Sequence, residues 1–190
     1  MKTLILNGSP HKNGDTAALI QAFKAEMGGE FAEIYAYDEG ISPCVDCRAC
    51  WRKPGCVIHD KMDEVYRLIA ECDAVLIASP VYFSLLTGPL LSLASRLQSL
   101  YTAKRFLQVD LRGKKKAGAL LLAGGGDGSC GRAVDAAQCM LRHMGAEYLG
   151  YAASLNTDNL PAAKDQRALT EVRQLAKEVR KQVLYLKEDE

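Results

Sequence analysis

The sequence predicts an α/β fold in which one parallel β-sheet is covered by helices on both faces. Five short runs rich in apolar and β-branched residues alternate with helical patterns along the whole chain. Four of these runs are apolar almost throughout, as strands buried on both faces require. Regular alternation of strand and helix with short connections favours right-handed crossovers between parallel strands. The expected architecture is therefore a doubly wound sheet in three layers.

The elements can be assigned in chain order. The predicted strands are KTLILN (2–7), EFAEIYAY (30–37), CDAVLIASP (72–80), KKAGALLLAG (115–124) and AEYLGYAAS (146–154). Apolar residues at helical spacing predict helices over 16–27, 62–70, 89–100, 130–143 and 169–186, the last followed by a charged tail, 187–190. Five strands suit the flavodoxin-like order 2-1-3-4-5. We expect a single domain over residues 1–190, with a cysteine-rich insertion at about 42–58.

Composition excludes several classes of function. The formal net charge of +1 over 190 residues does not favour a surface for nucleic acid, and we interpret the basic run from Arg112 to Lys116 as a solvated loop. The apolar runs all fall short of the roughly 20 residues that a membrane helix needs. The first residues contain glycine and proline too early for a signal-peptide core, so we expect a cytoplasmic protein without a membrane or nucleic-acid partner.

The loop after the first predicted strand, GSPHKNGDT, is rich in hydrogen-bond donors and runs straight into a helix. Backbone amides at a helix start, with the hydroxyls of Ser9 and Thr16 and the amide of Asn13, form a neutral cradle suited to a phosphate monoester. It is not a Walker loop, because Gly14 is followed by Asp15 and Thr16. The alternative is a Gly/Pro turn in which Asp15 caps the helix.

Two more loops are expected at the same edge, because ligands of open α/β sheets bind outside the carboxyl ends of the strands. In SPVYFSLLTGP, Tyr82 and Phe83 are placed where a flat ring could lie against aromatic side chains; the alternative is that both belong to the core. In AGGGDGSCG, glycines allow backbone amides to approach a ring edge. Gly126, Gly128 and Gly131 also have G-x-G-x-x-G spacing, but that dinucleotide fingerprint belongs to a first β-α turn.

Four of the seven cysteines lie within thirteen residues, in CVDCRACWRKPGC. A chain of this length does not need disulfides, and clustered cysteines in a reducing compartment favour metal binding or catalysis. Structural zinc usually uses two separated C-x2-C pairs, and no second pair exists here. Three cysteines at steps of three followed by a fourth resemble the ferredoxin-type run that wraps an iron–sulfur cluster. A [4Fe–4S] cluster is the leading hypothesis, with a metal-free thiol loop, zinc or a disulfide as alternatives. Cys72, Cys130 and Cys139 are expected to be core thiols.

These segments together resemble the NADPH-dependent FMN reductase branch of the flavodoxin-like superfamily, and the cysteine run resembles the iron–sulfur flavoproteins within that branch. The resemblance covers most of the chain. It implies that the first loop holds the FMN phosphate, the second lines the isoalloxazine and the third lies near its pyrimidine edge. The implied cofactor-binding residues are Ser9, His11, Asn13, Gly14, Asp15, Thr16, Pro80, Val81, Tyr82, Phe83, Gly124, Gly125 and Gly126. The implied cluster ligands are Cys44, Cys47, Cys50 and Cys56.

Two positions depart from the family pattern. The family more often has arginine where this chain has His11 and asparagine where it has Asp15. A carboxylate directed at a phosphate would repel it. We therefore expect Asp15 either to turn back and cap the helix or to weaken FMN binding.

The resemblance implies an oxidoreductase that transfers electrons from NAD(P)H or ferredoxin through FMN to a quinone, flavin or other acceptor, with an iron–sulfur cluster as relay. No catalytic acid or base is assigned, because the flavin carries the redox chemistry. A flavodoxin-like electron carrier or redox sensor without NAD(P)H turnover is the first alternative, and a metal-stapled interaction domain is the second. The expected partners are a small-molecule or protein electron donor and acceptor, and the expected assembly is a homodimer or homotetramer.

Overall fold

The structure, a computed structural model, describes residues 1–38 and 40–188. Its elements in chain order are β1 (Lys2–Asn7), α1 (Asp15–Met27), β2 (Glu30–Tyr35), α2 (Met62–Glu71), β3 (Ala74–Pro80), α3 (Gly88–Ser95), α4 (Gln98–Phe106), β4 (Lys116–Gly124), α5 (Gly131–His143), β5 (Ala146–Leu155) and α6 (Gln166–Glu188). Two short 3-10 turns cover Ala49–Trp51 and Ala162–Lys164. Of the predicted charged tail, residues 189–190 lie outside the described residues.

The five strands form one sheet in the order β2-β1-β3-β4-β5, and every neighbouring pair is parallel. The predicted α/β fold and strand order are therefore confirmed. The predicted strand ends agree with the structure to within about two residues, since β2 ends at Tyr35 instead of residue 37 and β3 begins at Ala74 instead of residue 72.

The helices cover the two faces of the sheet in unequal numbers. Successive side chains of a strand point to opposite faces. Leu4 and Leu6 accordingly pack in the core under α2 to α5, whereas Ile5 packs in the core under α1 and α6. Because both faces are buried, the central strands are apolar at most positions, with Ser79 and Lys116 as buried exceptions, and this produced the long apolar runs in the sequence. No helix of the described part combines the length and apolar character needed to cross a membrane.

The single helix predicted over 89–100 is wrong, because the chain forms two helices separated by Arg96 and Leu97. The carbonyl of Arg96 accepts hydrogen bonds from the hydroxyls of Tyr66 (2.8 Å) and Ser99 (3.1 Å). In a continuous helix this carbonyl would pair with the amide four residues later. Hydroxyl groups that capture helix carbonyls in this way bend or interrupt helices.

The basic run before β4 is not a solvated loop as predicted. Lys116 is fully buried, and its Nζ donates to the carbonyl oxygens of Arg112 (2.9 Å), Lys114 (2.6 Å) and Met144 (3.2 Å). Burial lowers the pKa of Lys116. Arg112 forms an ion pair with Asp110, so its positive charge is also neutralised locally. These side chains stabilise the start of β4.

Asp73 collects hydrogen bonds at the amino-terminal edge of the sheet. Its side chain is 7% exposed, and it accepts from Lys2 N (2.7 Å), Lys114 Nζ (2.5 Å) and Lys187 Nζ (3.2 Å). Burial alone would raise the pKa of Asp73, but the bonds from Lys114, the Lys2 amide and Lys187 outweigh it and lower the pKa to about 2. The carboxylate therefore ties β1, the segment before β4 and α6 together.

We predict that Asp73→Asn lowers the free energy of unfolding by about 2 kcal/mol at pH 7, because each unit of pKa shift corresponds to about 1.4 kcal/mol. The folded-state pKa lies below the unfolded one, so this stabilisation is present above about pH 4 and is lost as the pH falls towards 2. Urea denaturation of both proteins between pH 7 and pH 2 measures the difference, which should shrink to near zero at the acid end.

Glu171→Gln is the matched control, because it removes an exposed carboxylate that pairs with Arg167 on α6. Exposed pairs of this kind contribute little, so the control should follow the wild type across the pH range. A gap between Asp73→Asn and the wild type that stays constant down to pH 2 would rule out the ionic explanation.

Candidate functional site

The loops after β1, β3 and β4 meet at the carboxyl ends of the strands, where the strand order predicts a ligand site. Backbone hydrogen bonds anchor each loop to the neighbouring strand: Gly8 N donates to Ala78 O (2.7 Å) and Val81 N to Ala123 O (2.8 Å). The hydroxyl of Thr87 also donates to the carbonyl of Gly8 (2.8 Å). The first loop is thus fixed between β3 and the start of α3.

The first loop presents donors around the start of α1. Gly14 occupies the N-cap position, and no side chain caps the helix. The first amides of a helix have no partner inside it, so they face the loop as unsatisfied donors with a favourable dipole for an anion. Ser9 and Thr16 are buried beside these amides, whereas His11 and Asn13 are exposed. The hydroxyl of Ser9 accepts a hydrogen bond from His11 N (3.1 Å) and so closes the turn.

Asp15 does not cap the helix, so the capping alternative is wrong. It is the first residue of α1, and its Oδ1 accepts a hydrogen bond from Ala162 N at 2.7 Å. This contact ties the start of α1 to the 3-10 turn that precedes α6. One carboxylate oxygen is therefore engaged away from the loop.

The second loop is a tight hairpin turn with a strained backbone. Tyr82 and Leu85 exchange two backbone hydrogen bonds of 3.0 Å, and Phe83 and Ser84 between them have φ of 52° and 65°. Positive φ at both central positions is the geometry of a type I′ turn, which glycine and asparagine favour and which strains phenylalanine. Phe83 is 97% exposed and Tyr82 is also exposed, so the alternative that both rings belong to the core is wrong.

Tyr37, which follows β2, extends the aromatic surface of this hairpin. Burial first, and then the hydrogen bond and proximity of Tyr82, raise the pKa of Tyr37. Pro80 and Val81 lie half-buried at the base of the hairpin. The turn therefore presents aromatic rings at the sheet edge, close to the end of β2.

The third loop is paired with a segment that the sequence analysis missed. The carbonyl of Gly124 accepts from Thr157 N (2.9 Å), and the carbonyl of Gly126 accepts from Asn156 N (3.0 Å). A Cβ on Gly125 would lie 2.7 Å from the carboxylate of Asp158, so a larger residue there would displace that side chain. The segment after β5 thus belongs to the site. Because β5 neighbours β4 in the predicted strand order, its end could have been placed at this edge from the sequence.

The four clustered cysteines line one cavity of about 520 Å³. Cys44, Cys47, Cys50 and Cys56 form one side, and residues of α3, α4 and the segment between them form the other. Two hydrogen bonds attach the loop to these helices: Cys44 N donates to Ser95 Oγ (2.9 Å), and Thr102 Oγ1 donates to Cys50 O (3.2 Å). The rings of Trp51 and Phe106 pack 4.8 Å apart beside the cavity.

The geometry of the thiols bears on what they can hold. Within residues 1–38 and 40–188, no three His, Cys, Asp or Glu side chains are close enough together to hold one metal ion. A single zinc ion would need the four sulfurs about 2.3 Å from one point. The four thiols instead line a cavity of about 520 Å³, which has room for a group larger than one metal ion. Thiolate ligands suit iron–sulfur clusters. The donor set therefore fits a cluster better than a single ion.

The three remaining cysteines differ from one another. Cys72 is buried, as predicted, and burial raises its pKa to about 11. Cys130 is half-buried at the start of α5. Cys139 is exposed on α5, so the prediction that it is a core thiol is wrong.

Arg96 joins both ends of the cysteine loop. Its Nη1 donates to the carbonyl of Ser42 (2.9 Å) and to Asp60 Oδ2 (2.8 Å), and its Nη2 donates to the carbonyl of Ile58 (2.7 Å). Ser42 precedes the four cysteines, while Ile58 and Asp60 follow them. Arg96 was missed from the sequence because it falls inside the helix that was wrongly predicted as continuous.

Comparison with known proteins relates the chain to flavin enzymes. The family model "NADPH-dependent FMN reductase" matches residues 1–159. An "Iron-sulfur flavoprotein" of Archaeoglobus fulgidus is 35% identical over 100 residues, which cover 51% of this chain and 46% of that protein. An "Iron-sulfur flavoprotein" of Methanosarcina thermophila is 34% identical over 128 residues, covering 66% of this chain and 64% of that protein. The chain thus spans about half to two thirds of the length of these relatives.

Solved structures share the fold at low sequence identity. The "NAD(P)H:quinone oxidoreductase from Methanothermobacter marburgensis" superimposes with a TM-score of 0.69 and 15% identity, covering 93% of this chain and 95% of that one. At this level of identity the likeness concerns the fold alone. Together with the family model and the curated relatives, it confirms the resemblance predicted from the loops and the cysteine run.

We predict that Gly8→Ala lowers the free energy of unfolding by about 1–3 kcal/mol, the usual cost of overpacking a well-packed site. A Cβ at this position would lie 2.9 Å from Leu90 Cδ2 and 2.9 Å from Thr87 Oγ1, so the first loop or these side chains must shift. Gly88→Ala is the control, because a Cβ at Gly88 meets nothing within 4 Å. Chemical denaturation measures both variants, and equal stabilities would contradict the packing of the first loop against α3.

Proposed function

The chain belongs to the NADPH-dependent FMN reductase family, and from this premise we propose that it binds FMN at the carboxyl edge of the sheet and passes electrons from NAD(P)H or ferredoxin to a quinone, flavin or other acceptor. The observation that carries the proposal is the convergence of three loops at that edge: an uncapped helix start, a strained hairpin with exposed aromatic rings, and a glycine loop. Phosphate, flat ring and ring edge are the three parts of FMN that such loops would bind.

The first loop supplies the charge recognition for the phosphate. The first amides of α1, with the hydroxyls of Ser9 and Thr16, would donate to the phosphate oxygens, and His11, Gly14 and the exposed Asn13 lie on the same loop. Asp15 adds less repulsion than its charge alone suggests, because Oδ1 is held by Ala162 N. We therefore propose that this carboxylate is tolerated beside a phosphate.

The other two loops would position the ring and exclude water from it. The hairpin from Pro80 to Phe83 would cover one side of the isoalloxazine, and the backbone of Gly124, Gly125 and Gly126 would approach its edge without side-chain obstruction. When bound, FMN would supply the hydride and electron transfer of the reaction. The protein's contribution is then orientation, and no side chain is required as acid or base.

The second part of the proposal is that Cys44, Cys47, Cys50 and Cys56 hold a [4Fe–4S] cluster that relays electrons to or from the flavin. The support is the arrangement of all four thiols around one cavity of about 520 Å³. The proteins named "Iron-sulfur flavoprotein" among the relatives add support from outside the chain. The thiolates would hold the iron, and the walls from α3 and α4 would shield it from water.

We also propose that the chain is a single FMN-binding domain that self-associates as a dimer or tetramer. Exposed aromatic side chains beside the cysteine cavity support this, since Trp51 and Phe106 form a contiguous apolar surface. Exposed apolar patches are typical of protein contacts.

We predict that FMN raises the melting temperature of the wild-type protein and that the flavin fluorescence changes on binding. Thr16→Val should weaken FMN binding by about tenfold or more, because a hydrogen bond to a charged group contributes about 1.5–3 kcal/mol. Ser9→Ala should act in the same direction. Fluorescence titration gives the dissociation constants, and steady-state NAD(P)H oxidation with a quinone tests the enzymatic part.

Thr170→Val is the matched control, because Thr170 lies exposed on α6 and its hydroxyl bonds only locally to Gln166 O. It should bind FMN like the wild type. If saturating FMN changes neither the fluorescence nor the melting temperature of the wild type, the proposal is wrong. FMN binding without NAD(P)H oxidation would favour the electron-carrier alternative.

We predict that protein prepared without oxygen contains about four irons per chain and has visible absorption that dithionite bleaches. Cys47→Ser should remove the iron and leave FMN binding intact, because Cys47 lines the cysteine cavity and the FMN loops are anchored to the sheet. Iron analysis and absorption spectra of the two proteins test this.

Cys139→Ser is the control, because Cys139 is exposed on α5 and does not line that cavity. It should keep all the iron. The cluster assignment would be wrong if the oxygen-free protein contained stoichiometric zinc, or if it held no metal even after reconstitution with iron and sulfide. Either result would leave the proposal of FMN binding unaffected, because that proposal is tested by the FMN titration.

A further inference from the structure

Arg96 lines the cysteine cavity, and its guanidinium carries one donor that is unpaired among the described residues. The side chain is 0% exposed, and Arg96 lines the same cavity as the four clustered cysteines. Its two Nη atoms bond to Ser42, Ile58 and Asp60, but its Nε is buried without a hydrogen-bond partner in the described part of the chain. A buried donor left unpaired costs about 1–3 kcal/mol, and native structures rarely keep one without a ligand, ion or water to satisfy it.

The charge around this guanidinium favours an anion in the cavity. Burial opposes the charge, but the hydrogen bond to Asp60 and the proximity of Tyr66 and Cys56 outweigh it, and the pKa of Arg96 is raised. Arg96 therefore stays charged with no access to water. Asp60 is its ion-pair partner, and that carboxylate also accepts hydrogen bonds from the amides of Ser42 and Met62. These two amides therefore compete with Arg96 for the negative charge of Asp60, which neutralises the guanidinium only in part.

We propose that Arg96 positions the anionic group held by the four thiolates and sets its reduction potential. The Nε–H would donate to a thiolate or sulfide of that group, and the fixed positive charge would stabilise the reduced state, which carries one more negative charge than the oxidised state. This inference rests on the proposed iron–sulfur cluster. Arg96 acts on the group's electron affinity and takes no part in bond formation.

A purely structural role accounts for the Nη contacts alone. Those contacts join Ser42 to Ile58 and Asp60 and so close the cysteine loop at its base. A loop clamp of this kind leaves the unpaired Nε of Arg96 unexplained. The two roles differ in what they predict for Arg96 and Asp60: loss of either partner would loosen a clamp, whereas the two charges have opposite electrostatic effects on a redox group.

The test is the midpoint potential of the cluster in full-length protein reconstituted without oxygen, measured by dye-mediated titration. Arg96→Gln should make reduction on the order of tenfold less favourable, which for one electron is a potential about 59 mV more negative. Arg96→Lys keeps the charge but loses the Nε–H, so its shift should have the same sign and be smaller. Asp60→Asn removes the negative partner and should shift the potential in the positive direction. Arg67→Gln is the control, because Arg67 is an exposed arginine paired with Glu71 and should leave the potential unchanged.

Opposite shifts for Arg96→Lys and Asp60→Asn support the inference even if Arg96→Gln loses its iron. Potentials equal to the wild type in the iron-loaded Arg96→Lys and Asp60→Asn variants would overturn it, as would shifts of the same sign. Wild-type protein that takes up no iron after reconstitution would refute the cluster itself, whereas iron-loaded wild type with unshifted variants would refute the role of Arg96 alone.

Discussion

The parallel pairing of all five strands is the constraint on which the site depends. In a parallel sheet every strand ends at the same edge, so the segments that follow β1, β3, β4 and β5 are brought together although they lie far apart in sequence. The bonds from Gly8 to Ala78 and from Val81 to Ala123 continue the sheet's hydrogen bonding into the loops. The loops are therefore as well fixed as the strand ends, and this lets a site built from backbone amides and glycines keep its shape without a dense polar side-chain network.

The cysteine loop is held differently from the three loops after β1, β3 and β4. It leaves the carboxyl end of β2, an edge strand, and its contacts run mainly to side chains of α3, α4 and the break between them. The break is essential to that attachment, because a continuous helix through Arg96 would leave the Arg96 carbonyl to pair within the helix. The hydroxyls of Tyr66 and Ser99 and the amide of Ser99 donate to that carbonyl, and the guanidinium reaches the carbonyls of Ser42 and Ile58. The break between α3 and α4 therefore also provides the contacts that support the cysteine loop.

The sequence was sufficient to predict the fold, since the strands, the strand order and the positions of the three loops follow from hydrophobic periodicity and chain order. It failed where contacts between distant residues override local preference. Residues 89–100 have helical periodicity throughout, and the hydroxyl of Tyr66 that helps to break this helix belongs to α2. Likewise, Asp15 stands where a cap is favoured, but its partner is the amide of Ala162, at the other end of the chain. Local rules cannot supply such partners, and the errors therefore fall beside the candidate sites.

The cysteine loop and the loops at the carboxyl edge of the sheet contribute differently to the stability of the fold, because they are anchored differently. The four clustered cysteines belong to neither hydrophobic core, and the loop that carries them is largely exposed apart from its contacts with α3 and α4. The three loops after β1, β3 and β4, in contrast, continue directly from strands whose side chains fill both cores. Changes in the cysteine loop therefore leave the sheet folded, whereas distortion of the first loop disturbs α3 through Thr87 and Leu90. Arg96 links the two parts, because its backbone lies at the junction of two core helices and the residue also lines the cysteine cavity. A substitution there changes both helix packing and the electrostatics of the cavity, and only a redox potential distinguishes the second effect from the first.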